Sequence, residues 1–503
     1  MTLEKAGGFR ARTQAGAPKK VTSKQGPQRS QTSTAKRQDR TKRRQESSRV
    51  SGVLAAGVDK ARAVAFEVLV AVATQEAYAN LVLPKALTTA RLEGRDAAFA
   101  TELTYGSLRA LGTLDAVIDA VSSRPTSKLD AEVLSALRLG AYQVLFTRVE
   151  PHAAVDTTVR IVQGVGHEKA KGFANAVMRS ITRTSPERWL EKLTPEDELA
   201  ALAFRTSHPE WIARSFAQIL DPAELEEALT EDSARPRVHL VAKPGEMSAE
   251  ELALIAGGDE GKYSPYAVYL EGGDPGALEP VKQGLAAVQD EGSQIIARAL
   301  TVAPVDGVDG GRWLDLCAGP GGKAALIGGL ARIDGARVDA VEVAPHRARL
   351  IENATRGLPV KVHVADGRKP GLNSGYDRIL VDAPCSGLGA LRRRPEARWR
   401  KKESDIAELA TLQFELLSSA VELTRPGGVI VYSTCSPDLR ETRAIVDRAV
   451  AELGVEELDA KEFACGLENT GEHKSVQMWP HRHGTDAMFF AVLRRPATPR
   501  MDV

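Results

Sequence analysis

The sequence predicts a multidomain protein with an all-α N-terminal domain, a small α/β middle module and a C-terminal α/β domain built on a doubly wound parallel sheet. Three observations predict this fold class. The chain has 503 residues, more than one ordinary hydrophobic core can organise. Between Val58 and Thr184 apolar residues recur at helical spacing. From about Val288 onward, short β-rich runs alternate with helical segments.

Residues 1–57 are predicted to be a disordered basic arm. Residues 1–50 contain 14 Lys and Arg against three Asp and Glu, and they have almost no large apolar side chains. Such a composition cannot offset the entropy lost on folding. The positive charge favours attraction to nucleic-acid phosphates, and a solubilising tail without a partner is the competing interpretation.

Residues 58–185 are predicted to form a domain of five or more helices. Their apolar periodicity lacks β-branched alternation, and breakers such as Pro84 divide it. Residues 186–287 have a mixed pattern, with a helix start at Ser207–Trp211 and strand-like alternation at Arg237–Ala242. We therefore expect a small α/β module between the two larger domains.

Residues 288–503 carry the strand, loop and helix alternation of a doubly wound domain. Such sheets bind ligands beyond the carboxyl ends of their strands. The predicted strands are Arg312–Cys317, Arg337–Val343, Val360–Val364, Arg378–Ala383 and Val429–Thr434, and the main predicted helices are Pro345–Arg356, Glu403–Thr424 and Arg440–Leu453.

A glycine-rich loop, residues 317–323, follows the first of these strands and opens a helix. Glycines let the backbone approach a ligand closely, and a helix N-terminus supplies amide donors. Alone, this pattern fits a plain turn or a nucleotide-phosphate site about as well as it fits a loop that holds a different cofactor. Carboxylates at the ends of the next three strands, Glu342, Asp366 and Asp382, favour S-adenosylmethionine, because its ribose, adenine and ammonium groups all offer hydrogen-bond donors.

Two cysteines each follow an apolar run in this domain, Cys385 within Asp-Ala-Pro-Cys-Ser-Gly and Cys435 within Tyr-Ser-Thr-Cys-Ser. A thiolate is needed where an enzyme adds covalently to an electron-poor ring, and a second thiol suggests a group dedicated to a later step. Two buried structural cysteines are the alternative interpretation. The pair favours methylation at a ring carbon.

Composition also argues against several classes of protein. No apolar run reaches the roughly 18 residues of a membrane helix, and the start lacks the order of a secretory signal, so we expect a cytoplasmic protein. The four cysteines include no C-x-x-C pair, which argues against a disulfide framework and the common zinc patterns. We expect no metal, and nothing in the sequence implies an oligomer.

Several motifs resemble known families. The helical region resembles the NusB-type RNA-binding domain at Ala61–Phe66, Thr101–Gly106, Leu137–Gln143 and Phe173–Arg179. The C-terminal region resembles the bacterial small-subunit rRNA cytosine-C5 methyltransferases, the RsmB, Sun or Fmu family, at Asp315–Lys323, Asp382–Gly387, Tyr432–Ser436 and Gly484–Phe490. The resemblance spans roughly residues 58–495.

This resemblance implies small-subunit rRNA as the partner and S-adenosylmethionine as the cofactor. It also implies that residues 186–287 are an RNA-recognition-like cap. The cofactor-binding residues that it implies are Cys317, Ala318, Gly319, Pro320, Gly321, Gly322, Lys323, Glu342, Asp366 and Asp382. Two positions depart from the family pattern: Gly319 stands where Ala is usual, and Ala487–Met488 replace a usual Gly.

The resemblance also implies catalytic roles. In the RNA family the Thr-Cys cysteine, here Cys435, attacks ring carbon C6, and the Pro-Cys cysteine, here Cys385, assists release; DNA cytosine-C5 methyltransferases use the Pro-Cys residue for attack. Asp382 is expected to stabilise charge near N3. The alternatives are action on tRNA or another RNA, and a catalytically silent ribosome-assembly factor. The intact catalytic residues argue against the silent factor.

A basic segment, Leu391–Lys402, follows Cys385 and contains seven cations and Trp399. Its position predicts contacts to RNA phosphates, with stacking on the tryptophan. A solvated basic loop is the competing interpretation.

Overall fold

The computed structural model describes residues 48–75 and 77–497. Residues 48–55 form a helix, which corrects the prediction that the basic arm is disordered as far as residue 57. This helix is ordered because Val53 is fully buried and Arg49 forms a 2.7 Å ion pair with Glu67 of the helical domain. Residues 1–47 of the predicted arm lie outside the described residues.

Seven α-helices follow in the helical domain, within the part of the chain that the structure describes. Helix α1 is buried on almost every side, as expected for a helix that is apolar all round, and it packs against α2, α3 and α5. The bounds are α1 (Lys60–Gln75), α2 (Ala79–Ala90), α3 (Gly94–Arg109), α4 (Leu111–Val121), α5 (Ala131–Phe146), α6 (Pro151–Gly164) and α7 (Lys171–Ile181).

Four short helices come next: α8 (Pro186–Leu193), α9 (Glu198–Arg205), α10 (Glu210–Phe216) and α11 (Pro222–Ser233). Trp189 of α8 lies in the core of the helical domain, whereas α9, α10 and α11 share a core with the C-terminal domain. Phe216 meets the edge of Trp479 with ring centroids 5.3 Å apart, and both side chains share a core with Leu391. Helices α9 to α11 therefore attach the middle of the chain to the C-terminal domain.

The small α/β module follows the four helices. Its elements are β1 (Val238–Ala242), α12 (Ala249–Ala256), β2 (Asp259–Glu260), β3 (Ala267–Leu270), α13 (Glu279–Gln283) and β4 (Ala286–Val288). The strands pair antiparallel in the order β2-β3-β1-β4. This βαββαβ connectivity is that of a split βαβ fold, the architecture of the expected RNA-recognition-like cap.

The C-terminal domain has a central sheet between two layers of helices. Its strands are β5 (Arg312–Asp315), β6 (Arg337–Glu342), β7 (Val360–Val364), β8 (Tyr376–Asp382), β9 (Thr424–Thr434), β10 (Glu456–Leu458), β11 (Val476–Gln477) and β12 (Phe489–Arg494). Its helices are α14 (Glu291–Val302), α15 (Gly322–Asp334), α16 (Pro345–Ala354), α17 (Asp405–Leu423), α18 (Arg443–Glu452) and α19 (Pro480–His483). No helix in the described part of the chain is long and apolar enough to cross a membrane.

The sheet is mixed, which corrects the prediction of a parallel sheet. Five strands run parallel in the order β9-β8-β5-β6-β7, but β12 lies antiparallel between β9 and β10. The amide of Ala487 donates to the carbonyl of Gly389 at 2.8 Å, so the chain is held at the carboxyl edge just before β12 begins. A strand that starts at that edge must run back against its parallel neighbours.

Arg398 joins the basic segment to the four short helices. Its guanidinium is fully buried and donates to the Ser207 carbonyl at 3.1 Å and the Asp232 carbonyl at 3.0 Å. We expect Arg398→Met to lower the free energy of unfolding by about 2–4 kcal/mol, because it leaves buried carbonyls without a donor. Urea denaturation measures this effect. Lys402→Met, at an exposed position of the same segment, is the control, and equal midpoints for the two variants would contradict the assignment.

Candidate active site

The glycine-rich loop connects β5 to α15. Gly321 has φ +114° and caps α15, and a Cβ there would lie 3.0 Å from the Ile351 Cα, so the loop needs glycine at this position. A Cβ on Gly319 would lie 1.9 Å from Glu342 Oε2. Glycine in place of the family's usual alanine therefore lets this carboxylate pack directly against the loop backbone.

The predicted carboxylates lie at the carboxyl edge of the sheet in different environments. Glu342 is buried at the end of β6, and its Oε1 accepts from the Ala344 amide at 2.8 Å. Asp366, two residues beyond β7, is half-buried and forms a 2.7 Å ion pair with Arg368. The hydrogen bond from Arg368 lowers the pKa of Asp366. Asp366 is therefore ionised, and its carboxylate is bound by the Arg368 guanidinium.

Lys323 and Asp382 form an ion pair at the centre of the edge. Lys323 Nζ lies 2.8 Å from Asp382 Oδ2 and 3.3 Å from Ser293 Oγ, while Asp382 Oδ1 accepts from Ser433 Oγ at 3.0 Å. Burial opposes the charged amine, but the Asp382 carboxylate outweighs burial and raises the pKa of Lys323. A permanent cation thus faces the predicted catalytic residues.

Asp315 is a site residue to which sequence reasoning assigned no role. It ends β5, is 1% exposed, and its Oδ1 has no hydrogen-bond partner among the described residues. Burial, with the Asp382 charge as the second cause, raises the pKa of Asp315 to about 7. The predicted strand ran on to Cys317, two residues past the observed end of β5, so the sequence did not place Asp315 at a strand end as it did Glu342. The buried Gln289 Oε1, close to Gly322, also lacks a hydrogen-bond partner among the described residues.

These unpaired acceptors, the exposed amide end of α15 and the glycine backbone fit a ligand rich in hydrogen-bond donors. S-adenosylmethionine has such donors in its ammonium, ribose and adenine groups. The residues that would hold it are the loop 317–323 together with Asp315, Glu342 and Asp366.

The two predicted catalytic cysteines come together, with Cys385 Sγ 3.3 Å from Cys435 Sγ. They sit in opposite electrostatic environments. The hydrogen bond from Cys385 lowers the pKa of Cys435, and the charges of Lys323 and Arg394 lower it further. The same hydrogen bond, burial and the Glu441 carboxylate raise the pKa of Cys385 well above that of an ordinary thiol. These surroundings favour ionisation of Cys435 over ionisation of Cys385, and a protonated Cys385 would then donate to the Cys435 thiolate.

The loop that carries Cys385 is held by buried contacts. Glu441 accepts from the Ser386 amide at 2.8 Å and from Gln413 Nε2 at 3.0 Å. The Gly389 amide donates to the Cys435 carbonyl at 2.9 Å, and a Cβ on Gly389 would lie 1.8 Å from the Ala487 carbonyl oxygen. The two cysteine motifs and the segment before β12 thus meet at Gly389.

This asymmetry makes a prediction about thiol reactivity. Only the thiolate reacts quickly with iodoacetamide, so Cys435 should be alkylated before Cys385 and Cys317 near neutral pH. The alkylation rate of Cys435 should reach its plateau at a pH below about 9, because the pKa of Cys435 is lower than that of an ordinary thiol. Peptide mass spectrometry over a pH series measures both effects, and Cys465, whose pKa burial raises, is the internal control. Earlier alkylation of Cys385 would contradict the assignment.

Most of the basic segment does not face solvent. The prediction of phosphate contacts is corrected for the four arginines that protein groups hold, Arg392, Arg393, Arg398 and Arg400. Arg392 and Arg393 each pair with Asp486 at 2.9 Å. Arg400 donates to the Val72 carbonyl at 2.7 Å, and a Cβ on Gly112 would lie 2.2 Å from the Trp399 ring. Arg394, Trp399 and Lys402 are exposed. The segment mainly joins the three parts of the protein.

Comparisons with known proteins agree with this architecture. Residues 59–183 match the family model described as the NusB family, and residues 300–494 match that of the 16S rRNA methyltransferase RsmB/F. The crystal structure of PH0851 superimposes with a TM-score of 0.74 at 22% identity, over 87% of this chain and 99% of that one, and supports the fold.

Two curated relatives match almost along their whole lengths. A putative methyltransferase of Mycobacterium tuberculosis, Rv1407, is 56% identical over 87% of this chain and 97% of the relative. The probable ribosomal RNA small subunit methyltransferase B of Bacillus subtilis is 31% identical over 86% of this chain and 98% of the relative. The chain therefore belongs to the RsmB/F family of 16S rRNA methyltransferases, and its cofactor is S-adenosylmethionine.

Proposed function

We propose that this protein methylates C5 of a cytosine in small-subunit rRNA through a covalent bond between Cys435 and ring carbon C6. The observation that carries the proposal is the pair of cysteine sulfurs 3.3 Å apart beside the Lys323–Asp382 ion pair. Methyl transfer to an exocyclic nitrogen or a ribose oxygen requires no thiolate. A thiolate next to a second, protonated thiol suits a reaction with an addition step and a release step.

The chemistry of the ring explains the need for Cys435. Cytosine C5 is too weak a nucleophile to attack a sulfonium methyl group directly. Addition of the Cys435 thiolate at C6 moves electron density onto C5. When bound, S-adenosylmethionine supplies the electrophilic methyl group. Addition puts negative charge on the ring, and Asp382 in its protonated form would donate to N3, with the Lys323 cation beside it adding to the stabilisation.

Release of the product requires transfer of the C5 proton to a base, for which a water molecule suffices. The electrons of the C5–H bond re-form the C5–C6 double bond, and the bond between C6 and Cys435 Sγ breaks. Cys435 then recovers its electron pair as a thiolate. Cys385 Sγ lies next to this sulfur and is placed to donate a hydrogen bond to it as it departs. The high pKa of Cys385 keeps the donor protonated. In this proposal Cys385 is therefore the residue that assists release.

The proposed substrate follows from the relatives and from the chemistry. The Bacillus subtilis relative is named for ribosomal RNA of the small subunit, and the helical domain belongs to the NusB family. A base must be unstacked before a thiolate can reach C6, which favours a loop or a single-stranded target. We therefore propose an unpaired cytosine of small-subunit rRNA.

Tritium release tests this function. Small-subunit rRNA transcribed with cytosine carrying tritium at C5 is incubated with the protein and S-adenosylmethionine, and a tRNA labelled in the same way serves as the comparison. We expect tritium release and 5-methylcytidine from the rRNA alone. Methylated cytidine without tritium release would exclude C5, and release from tRNA alone would exclude the proposed substrate. Bisulfite sequencing of rRNA from a deletion strain then identifies the nucleotide.

A further inference from the structure

We infer that Tyr78 and Arg394 together bind the nucleotide next to the target cytosine, with its base stacked on the Tyr78 ring and its phosphate paired with the Arg394 guanidinium. This inference rests on the proposed function, since it takes RNA as the substrate. It adds a substrate-binding site at the junction between the helical domain and the C-terminal domain.

Arg394 differs from the other arginines around it. Arg392 and Arg393 are paired with Asp486, and Arg398 is buried against backbone carbonyls. Arg394 is exposed, and among the described residues no carboxylate oxygen lies within 4.0 Å of its guanidinium. Its charge is therefore available to a phosphate.

The position of Arg394 relative to the thiolate is fixed by the backbone. The Gly389 amide donates to the Cys435 carbonyl at 2.9 Å, and the Arg394 amide donates to the Ala390 carbonyl at 3.1 Å. Arg394 thus lies one short turn beyond Gly389, the residue that contacts Cys435. A phosphate on Arg394 would belong to the target nucleotide or its neighbour.

Tyr78 belongs to the helical domain but lies beside the same arginine. The guanidinium groups of Arg394 and Arg400 both lie over the Tyr78 ring, with their carbons 5.2 and 5.6 Å from its centre. In the proposed complex the base takes the place of the Arg394 guanidinium on the ring, and that guanidinium turns to the phosphate. Arg400 is anchored to the Val72 and Ala77 carbonyls, at 2.7 and 2.8 Å. These contacts fix the ring at the domain junction, while 36% of Tyr78 remains exposed.

A neighbouring hydrogen bond fixes the helical domain and the C-terminal domain in this relative position. The Ala79 amide, at the start of α2, donates to Glu396 Oε1 at 2.9 Å in a buried position. The aromatic ring and the cation are therefore preorganised. Exposed aromatic rings beside arginines are a recurrent way to bind single-stranded nucleic acid, because every base has a face that can stack and every nucleotide has a phosphate.

Binding of small-subunit rRNA transcript at several salt concentrations tests the inference. Tyr78→Ala should weaken binding about tenfold without changing the salt dependence, because stacking releases no counterions. Arg394→Gln should weaken binding and reduce the slope of log affinity against log salt by about one unit. Arg394→Lys should keep the slope. Arg448→Gln is the matched control, since Arg448 also lies over an aromatic ring, that of Phe414, on another pair of helices.

Affinities within twofold of wild type for either Tyr78→Ala or Arg394→Gln would overturn the inference. An equal loss from Arg448→Gln would also overturn it, because the effect would then be one of general charge. Thermal unfolding of each variant verifies that it is folded. Failure of the proposed function is distinguishable, because the wild-type protein would then form no 5-methylcytidine whatever its affinity for RNA.

Discussion

Cys435→Ala is expected to abolish methyl transfer, with a loss of at least about a thousandfold in turnover, because no other group can add to C6. Cys435 is the thiol whose pKa its surroundings lower, and Cys385 is held protonated beside it. Incorporation of labelled methyl groups into small-subunit rRNA measures the loss.

The matched control is Cys465→Ala, because Cys465 lies beside Arg298, with Sγ 3.3 Å from Nη1, and lies outside the cysteine pair. This variant should retain wild-type turnover. Residual activity of Cys435→Ala above a few per cent would mean that another nucleophile forms the adduct or that none is needed.

Asp315→Asn should weaken the binding of S-adenosylmethionine while it stabilises the unliganded protein. Asp315 is buried at the start of the cofactor loop, where a carboxylate can balance the positive charge of the ligand. We expect at least a tenfold loss of affinity by calorimetry. For the wild type, affinity should fall as the pH drops below about 7, the pKa to which burial raises Asp315. For Asp315→Asn, this pH dependence should disappear.

The stability effect has a definite sign. The pKa of Asp315 is about 7 in the folded protein and 3.8 without perturbation, so between these values the folded state keeps a proton that the unfolded chain releases. Stability therefore falls as pH rises from about 4 to about 7. Asparagine imitates the protonated form, so above pH 7 the variant should gain up to about 4 kcal/mol.

Asp377 provides a control with the opposite sign. Burial opposes its charge, but hydrogen bonds from Arg425 and the Arg312 amide outweigh burial and lower the pKa of Asp377. Its stabilising contribution is present above its unfolded pKa and is lost in acid. Asp377→Asn should therefore destabilise the protein at pH 8. If the two variants shifted the unfolding midpoint in the same direction at pH 8, our account of the Asp315 environment would be wrong.

The sequence predicted the parts of the fold that depend on local pattern. Strand β7 has the predicted bounds, and the helices predicted from residues 345, 403 and 440 begin within three residues of those positions. It could not predict the reversal of β12, because the contact between Ala487 and Gly389 joins residues almost a hundred positions apart. The helix over residues 48–55 is stabilised by Glu67 in another element, a contact that composition cannot reveal.

The candidate active site could likewise be predicted in part. Strand ends identified the positions of Glu342, Asp382 and both cysteines, because side chains at the carboxyl edge of one sheet necessarily converge. The charges in the sequence did not show which arginines of the basic segment are buried and which are exposed. Their burial against Asp486, Ser207 and the helical domain depends on packing between domains that are distant in sequence.

Our central claim is the division of roles between the two cysteines, and trapping of the covalent adduct tests it most directly. Cys385→Ala, Cys435→Ala and the double variant are each incubated with small-subunit rRNA and S-adenosylmethionine, then separated under denaturing conditions. We predict a slowly migrating protein–RNA adduct from Cys385→Ala, because addition proceeds while release is impaired, and none from the other two. An adduct from Cys435→Ala, or its absence from Cys385→Ala with turnover intact, would contradict the assignment.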